Sequence, residues 1–284
     1  MKNVGNTSTV RLFDSVFAKI EGENPAGSVK DRAALFMIAD ALQNGSLNEN
    51  GCIVEATSGN TGIGLAYVAK ELGIDTVIVM PENMSEQRRR MIEAYGAKLL
   101  LTPASEGMAG AVKVANKLID EKGYWLADQF NNPSSIKAHF CTTAPEIFQA
   151  LPNVKYIVVG VGSGGTAMGI KKYIDCNDID CKVIAVEPEN SPLISKGYAG
   201  AHKIQGIGAN FLPSILDSSK LDGIIAVGDD EAIDGAREIF KKYGLYCGIS
   251  SGAAYCAAKS IAERTKEQIL AIFPDSGNRY SIFD

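Results

Sequence analysis

Lys30 follows a run of turn formers, Asn24-Pro25-Ala26-Gly27-Ser28, and precedes Asp31, where an apolar helical pattern begins. The positive end of a helix dipole disfavours a cation, and partial burial does the same. An amine placed there is pushed toward its neutral, nucleophilic form. Such a lysine can condense with an aldehyde. The plain alternative is a surface lysine paired with Asp31.

Three further loops carry unusual chemistry. Gly160-Val161-Gly162-Ser163-Gly164-Gly165-Thr166 lies between an apolar strand pattern and a helical one. Glycines let the backbone approach a ligand, and the helix that follows presents free N–H groups, so the loop reads as a phosphate cradle. It also matches the dinucleotide fingerprint at Gly160, Gly162 and Gly165, with Glu187 ending the next strand. A tight turn without a ligand is the third reading. Glu55-Ala56-Thr57-Ser58-Gly59-Asn60-Thr61-Gly62 is rich in hydroxyls and can grip a carboxylate without a full counter-charge. The competing reading is helix N-capping by Ser58, Asn60 or Thr61. Gly248-Ile249-Ser250-Ser251-Gly252 offers either a serine cap or a buried serine facing a ring nitrogen. A phosphate cradle in company with an activated lysine points to pyridoxal 5'-phosphate as cofactor.

The elements that must position these loops alternate. Asp31–Asn44 has Ala33, Ala34, Phe36, Met37, Ala41 and Leu42 at helical spacing and stops at Asn44-Gly45. Strands are expected at Cys52–Ala56, Asp75–Pro81, Lys98–Thr102, Tyr156–Gly160, Lys182–Glu187, Ile224–Val227 and Gln268–Phe273. Helices are expected between them, including Gly107–Lys122, Thr166–Ile174, Asp230–Tyr243 and Ser251–Thr265. Alternation of this kind means parallel sheets with both faces covered, a doubly wound α/β architecture. Ligands then sit beyond the carboxyl ends of the strands, so function is sought in the loops that follow them. No linker is visible, so two domains would have to be interwoven.

Composition narrows the classes. The chain has 284 residues, with 28 Lys+Arg against 33 Asp+Glu and a net charge of −5. That balance argues against a nucleic-acid partner, which needs a basic face. The apolar runs are shorter than the roughly 20 residues a membrane span requires, and the first residues carry no apolar signal run. A cytoplasmic protein is expected, with no membrane partner. Cys52, Cys141, Cys176, Cys181, Cys247 and Cys256 form no C-x-x-C pair, and only His139 and His202 accompany them. Reduced thiols and no metal site are expected. Cys176 and Cys181 read as part of a polar loop.

These loops, in this order, resemble the β-family of pyridoxal-phosphate enzymes, fold type II. Within it the chain is similar to the cysteine synthase/cystathionine β-synthase family, the O-acetylserine sulfhydrylases above all. Collinear stretches extend the resemblance: Val4-Gly5-Asn6-Thr7-Ser8, Glu21-Gly22-Glu23-Asn24-Pro25, Gln129-Phe130-Asn131-Asn132-Pro133 and Thr142-Thr143-Ala144-Pro145-Glu146. His202–Gly208 and Pro274–Tyr280 complete it. Ser8 stands where proline is common, Ala144 where glycine is common. Asn210 stands where sulfhydrylases often have glycine and cystathionine β-synthase an acid.

The resemblance implies a tryptophan synthase β-like fold of two interwoven three-layer αβα domains. Residues 1–35 and 134–284 would form the larger, cofactor-anchoring domain, and 36–133 a smaller, mobile, substrate-binding one. It implies Lys30 as the lysine joined to the cofactor. Gly162, Ser163, Gly164, Gly165 and Thr166 would hold the phosphate, Asn60 the cofactor's 3′-oxygen, and Ser250 the ring nitrogen. Thr57, Ser58, Thr61 and Gln129 would bind the substrate carboxylate. The activity implied is a transferase making L-cysteine and acetate from O-acetyl-L-serine and sulfide, in amino-acid biosynthesis. Related chemistry on cysteine, serine or phosphoserine, a nicotinamide-dependent oxidoreductase and a catalytically inert binding module are the alternatives. A homodimer and the C-terminal tail of serine acetyltransferase are the implied partners.

Overall fold

The computed structural model describes residues 3–280 and Ile282. Met1, Lys2, Ser281, Phe283 and Asp284, at the ends of the expected larger domain, lie outside these. The chain divides into two compact units. Among the described residues, one holds Lys30–Ser135 with Asn3 and Val4, and the other holds Gly5–Val29 with the chain from Ile136 onward.

The chain opens with strands β1 (Thr9–Phe13) and β2 (Val16–Ile20), which belong to the second unit. The first unit follows, with α1 (Lys30–Gln43), β3 (Cys52–Ala56), α2 (Asn60–Leu72) and β4 (Asp75–Pro81). It continues through α3 (Glu86–Ala94), β5 (Lys98–Thr102), α4 (Gly107–Lys122) and β6 (Trp125–Leu126). Its sheet runs β5-β4-β3-β6, and every pair is parallel. An inner strand of a parallel sheet is covered on both faces and needs apolar residues throughout. β4 meets that condition from Thr76 to Pro81, all buried. Helix α4 covers one face, where Ala111 and Ala115 pack on Val54, Val77 and Val79.

The chain returns to the second unit through α5 (Ser134–Ala138) and a π-helical turn at His139–Thr143, then α6 (Ala144–Ala150). β7 (Val154–Gly160), α7 (Gly165–Cys176), β8 (Lys182–Pro188), α8 (Leu193–Lys196) and β9 (Gly223–Val227) come next. α9 (Asp229–Tyr243), α10 (Ile249–Ala262) and β10 (Gln268–Phe273) complete it. Its six-stranded sheet has the order β1-β2-β10-β7-β8-β9. All pairs are parallel except β1 with β2. One core lies under α10, with Tyr255 and Phe273. Another, with Met168, Ile170 and Leu270, lies under α7.

Several elements go beyond the sequence expectation. β1 and β2 precede the first strand it contains. β2 hides its amphipathic signature because Lys19 points inward, where its ammonium donates to the Thr7 carbonyl at 2.5 Å and pairs with Glu146 at 2.8 Å. Cys176 closes α7 instead of lying in a loop, and Cys181 is buried next to β8. Burial pushes the Cys181 thiol up to about 12. All six cysteines are free. Among the described residues no helix is long and apolar enough to cross a membrane.

Candidate active site

Three of the predicted loops end in a helix whose N-cap is glycine: Gly59 before α2, Gly164 before α7 and Gly248 before α10. None has a side-chain cap. The capping roles considered for Ser58, Asn60, Thr61 and Ser250 are therefore not what these residues do. Asn60 is the first residue of α2, and Ser250 is the second of α10. A helix start without a side-chain N-cap leaves first-turn N–H groups that a ligand can take up.

In the Lys30–Ser135 unit, Lys30 is the first residue of α1 and is half-buried. Asp31 and Arg32 after it are fully buried, so Asp31 is a core group and no longer suits a surface pair. α1 packs closely on α2. A Cβ on Gly64 would stand 3.1 Å from the Lys30 carbonyl carbon and oxygen, so a side chain there would push the start of α1 away by a few tenths of an ångström. Thr57, Ser58 and Asn60 follow the carboxyl end of β3, which the parallel pairing with β4 and β6 holds in place.

Three of the four residues expected to bind a carboxylate come together. The Thr61 hydroxyl donates to the Gln129 side-chain oxygen at 2.5 Å, and the Gln129 amide nitrogen lies 3.4 Å from the Thr57 hydroxyl. The Gly59 N–H also points to the Thr57 hydroxyl at 3.4 Å. Thr57, Thr61 and Gln129 are all buried. Ser58 stands aside from that cluster, half-buried, with its carbonyl accepting from the Arg88 guanidinium at 3.3 Å. Next to the cluster, Glu55 accepts the Asp128 N–H at 2.8 Å.

In the other unit, Gly162–Thr166 follow β7 and run into α7, a helix of 12 residues. Gly164 has φ +89°, a left-handed conformation that costs a side-chain-bearing residue about 1–2 kcal/mol. The first turn of α7 offers backbone N–H groups together with the Ser163 and Thr166 hydroxyls. That donor set suits an oxyanion such as the cofactor phosphate. The Thr166 hydroxyl lies 3.2 Å from Nε2 of His139, whose Nδ1 lies 2.8 Å from the Thr143 hydroxyl. His139 is buried and so belongs to the support of this loop.

Ser250 is 2% exposed. The Gly248 N–H ahead of it donates to the Asp275 carbonyl at 3.2 Å, and the Tyr280 hydroxyl donates to the Asp275 carboxylate at 2.6 Å. The residues that bracket Ser250 thus follow β10. Because β10 and β7 pair in parallel, Ser250 and the 162–166 loop share one end of this sheet.

The dinucleotide reading needs Glu187 for a ribose hydroxyl. Glu187 is buried and already accepts from the Ile194 N–H at 2.8 Å, the Ser195 N–H at 3.3 Å and the Ser195 hydroxyl. Its lone pairs serve the start of α8 instead.

In the sequence Glu55 opens the hydroxyl-rich loop without a role of its own, and His139 enters only beside the cysteines in the question of a metal site. Glu55 left one local trace, an acid inside the apolar run Ile53-Val54-Glu55-Ala56. His139 left none, because its partners lie in Thr143 and in Thr166 on another element.

The family model for pyridoxal-phosphate dependent enzymes matches residues 1–275. A cysteine synthase of Flavobacterium sp. is 49% identical, over 87% of this chain and 83% of that protein. The crystal structure of a cysteine synthase from Entamoeba histolytica superposes with a TM-score of 0.95 at 36% identity, covering 98% of this chain and 87% of that one. A hydrogen sulfide-producing enzyme from Fusobacterium nucleatum gives 0.92 at 39% identity, covering 98% and 97%. A match of this extent, on parallel-sheet units carrying the expected loops, shows that the chain belongs to the pyridoxal-phosphate dependent enzymes, in the fold type II group that includes the cysteine synthases.

Proposed function

We propose that the chain catalyses the β-replacement O-acetyl-L-serine plus sulfide to L-cysteine plus acetate, with pyridoxal phosphate bound through Lys30. The observation that carries this reading is the Thr57–Thr61–Gln129 cluster, a buried set of neutral hydrogen-bonding groups beside a helix start. Such a set suits the α-carboxylate of an amino acid. Bound pyridoxal phosphate supplies an aldehyde for the substrate amine and a ring that takes up the electron pair freed at Cα.

The chain's own residues do the rest. The Lys30 amine, when free, would be the base that removes the Cα proton and later returns one. Acetate leaves with the electrons of the Cβ–O bond, and sulfide forms the Cβ–S bond. Gly162–Thr166 would hold the phosphate and Asn60 the 3′-oxygen, and the carboxylate set would keep Cα in register. Ser250, a neutral group, would face the ring nitrogen without favouring its protonation, which would suit elimination over transamination or racemisation. A homodimer in the cytoplasm, a mobile domain over residues 36–133 and capture of a serine acetyltransferase C-terminal tail belong to the same reading.

The test is the purified holoenzyme with O-acetylserine and sulfide, products read by mass spectrometry. Cysteine and acetate in equal amounts are expected. A colourless protein that binds NAD and forms no cysteine would overturn the proposal. A second reading, release or exchange of sulfide from cysteine, is favoured by the similarity to the Fusobacterium nucleatum enzyme and by Asn210. Adding cysteine, serine and phosphoserine with a panel of thiols separates the two.

A further inference from the structure

β3 carries an acid where an inner strand normally has apolar residues. Glu55 is 4% exposed. β6 pairs with β3 at Ile53↔Trp125 and Val54↔Leu126, and the ladder ends as the Ala127 N–H donates to the Val54 carbonyl at 3.2 Å. At Asp128 the backbone turns left-handed, with φ +52°, and leaves the strand direction. The Glu55 side chain then takes over from the missing carbonyls. It accepts the Asp128 N–H at 2.8 Å, and the backbone and side-chain N–H donors of Gln129 act on the same carboxyl.

Gln129, 8% exposed, has a donating and an accepting end, and the two can exchange by a flip. In its ionised form the Glu55 carboxyl only accepts, and so selects one orientation. With the Gln129 NH₂ toward Glu55 and Thr57, the Gln129 oxygen is left for the Thr61 hydroxyl. Thr57 Oγ1 then accepts from Gln129 and from the Gly59 N–H, and its own hydrogen stays available for a ligand acceptor.

We infer that Glu55 is a positioning residue for the substrate carboxylate: it anchors residues 128–129 and sets the Gln129 amide so that the Thr57 hydroxyl donates to the ligand. This rests on the reading of Thr57, Ser58, Thr61 and Gln129 as the carboxylate-binding set. Burial pushes the Glu55 carboxyl up to about 7, against the opposing pull of the Asp128 and Gln129 hydrogen bonds. An apolar residue of similar size would avoid that desolvation cost but would leave the Asp128 N–H without its acceptor, so the acid serves the turn at residues 128–129.

The test is steady-state kinetics of the holoenzyme with O-acetylserine varied at fixed sulfide, for wild type, Glu55→Gln, Glu55→Asp, Gln129→Ala and Thr57→Ala. Glu55→Gln keeps the size but turns an NH₂ toward the Gln129 donors. It should raise KM about tenfold or more while kcat stays within about threefold, a loss of substrate binding alone. Glu55→Asp should recover part of the loss, and the cofactor absorbance should not change in either. If Glu55→Gln leaves KM unchanged while Gln129→Ala raises it, the positioning role is wrong and the carboxylate set stands. If Gln129→Ala and Thr57→Ala also leave KM unchanged, the carboxylate set falls and the inference with it. Loss of cofactor or of folding in both Glu55 variants would make the residue structural and overturn the role.

Discussion

The Thr61 hydroxyl donates to the Gln129 side-chain oxygen over 2.5 Å, joining two residues 68 positions apart. Thr61→Val keeps the shape and removes the donor, which strands a buried amide oxygen at a cost of about 1–3 kcal/mol. KM for O-acetylserine should rise about tenfold, with the cofactor absorbance unchanged. An unaltered KM would show that Thr61 only packs.

Lys30 heads α1, and its replacement leaves the buried Asp31 and Arg32 in place. Lys30→Ala should keep its far-UV circular dichroism and lose about 10²-fold or more of kcat, the scale of a positioned base. In the wild type, borohydride should fix the cofactor on the peptide containing Lys30. Label on any other lysine would move the assignment.

Gly164 has φ +89°, and a Cβ there would lie 2.9 Å from Cβ of Leu216. Gly164→Leu therefore meets both strain and overlap, and relieving them rotates the N–H groups at the start of α7. Cofactor affinity should fall about tenfold or more while most helix and strand signal persists. Equilibrium titration with pyridoxal phosphate checks this, and unchanged affinity would remove the anion-cradle assignment.

Asn210 is exposed, while its neighbours Ala209 and Phe211 line a small cavity with Val161, Gly162 and Leu216. An amide both donates and accepts, glycine has no side chain, and aspartate mainly accepts. Asn210→Gly and Asn210→Asp should change the ratio of kcat/KM for O-acetylserine against that for cysteine by about tenfold, or about 1.4 kcal/mol. If all activities fall together, the residue only supports its loop.

Glu238 ties α9 to α10, accepting from Lys242 at 2.6 Å, Tyr255 at 2.9 Å and Lys259 at 3.0 Å. Burial pushes its carboxyl up, but those hydrogen bonds outweigh it and hold the group down at about 2. A depressed acid stabilises the fold above its unfolded pKa, about 4.3, and loses that contribution as pH falls toward the folded value. Glu238→Gln should therefore lower Tm at neutral pH, with the difference shrinking between about pH 5 and pH 2. Thermal melts across that range check it. A Tm gap that stays constant would mean the charge is not involved.

The sequence by itself determined the alternation of elements and the loops that bear chemistry. Asp75–Pro81, Lys98–Thr102, Gly107–Lys122 and Gln268–Phe273 fall where their apolar period puts them, because period and burial are local properties of the chain. The glycine-rich and hydroxyl-rich loops were legible for the same reason, since backbone freedom and donor chemistry belong to the residues themselves. Pairing was not legible. Ile269 lies beside Val16, and Glu55 beside Asp128, and no local pattern encodes a partner so remote. The glycine N-caps of α2, α7 and α10 needed backbone angles, and the engagement of Glu187 with α8 needed its hydrogen bonds. Nothing in the sequence around Lys19 or Glu55 marks either charge as buried. Only the tertiary structure buries them, because each finds its compensating groups on segments far away in sequence.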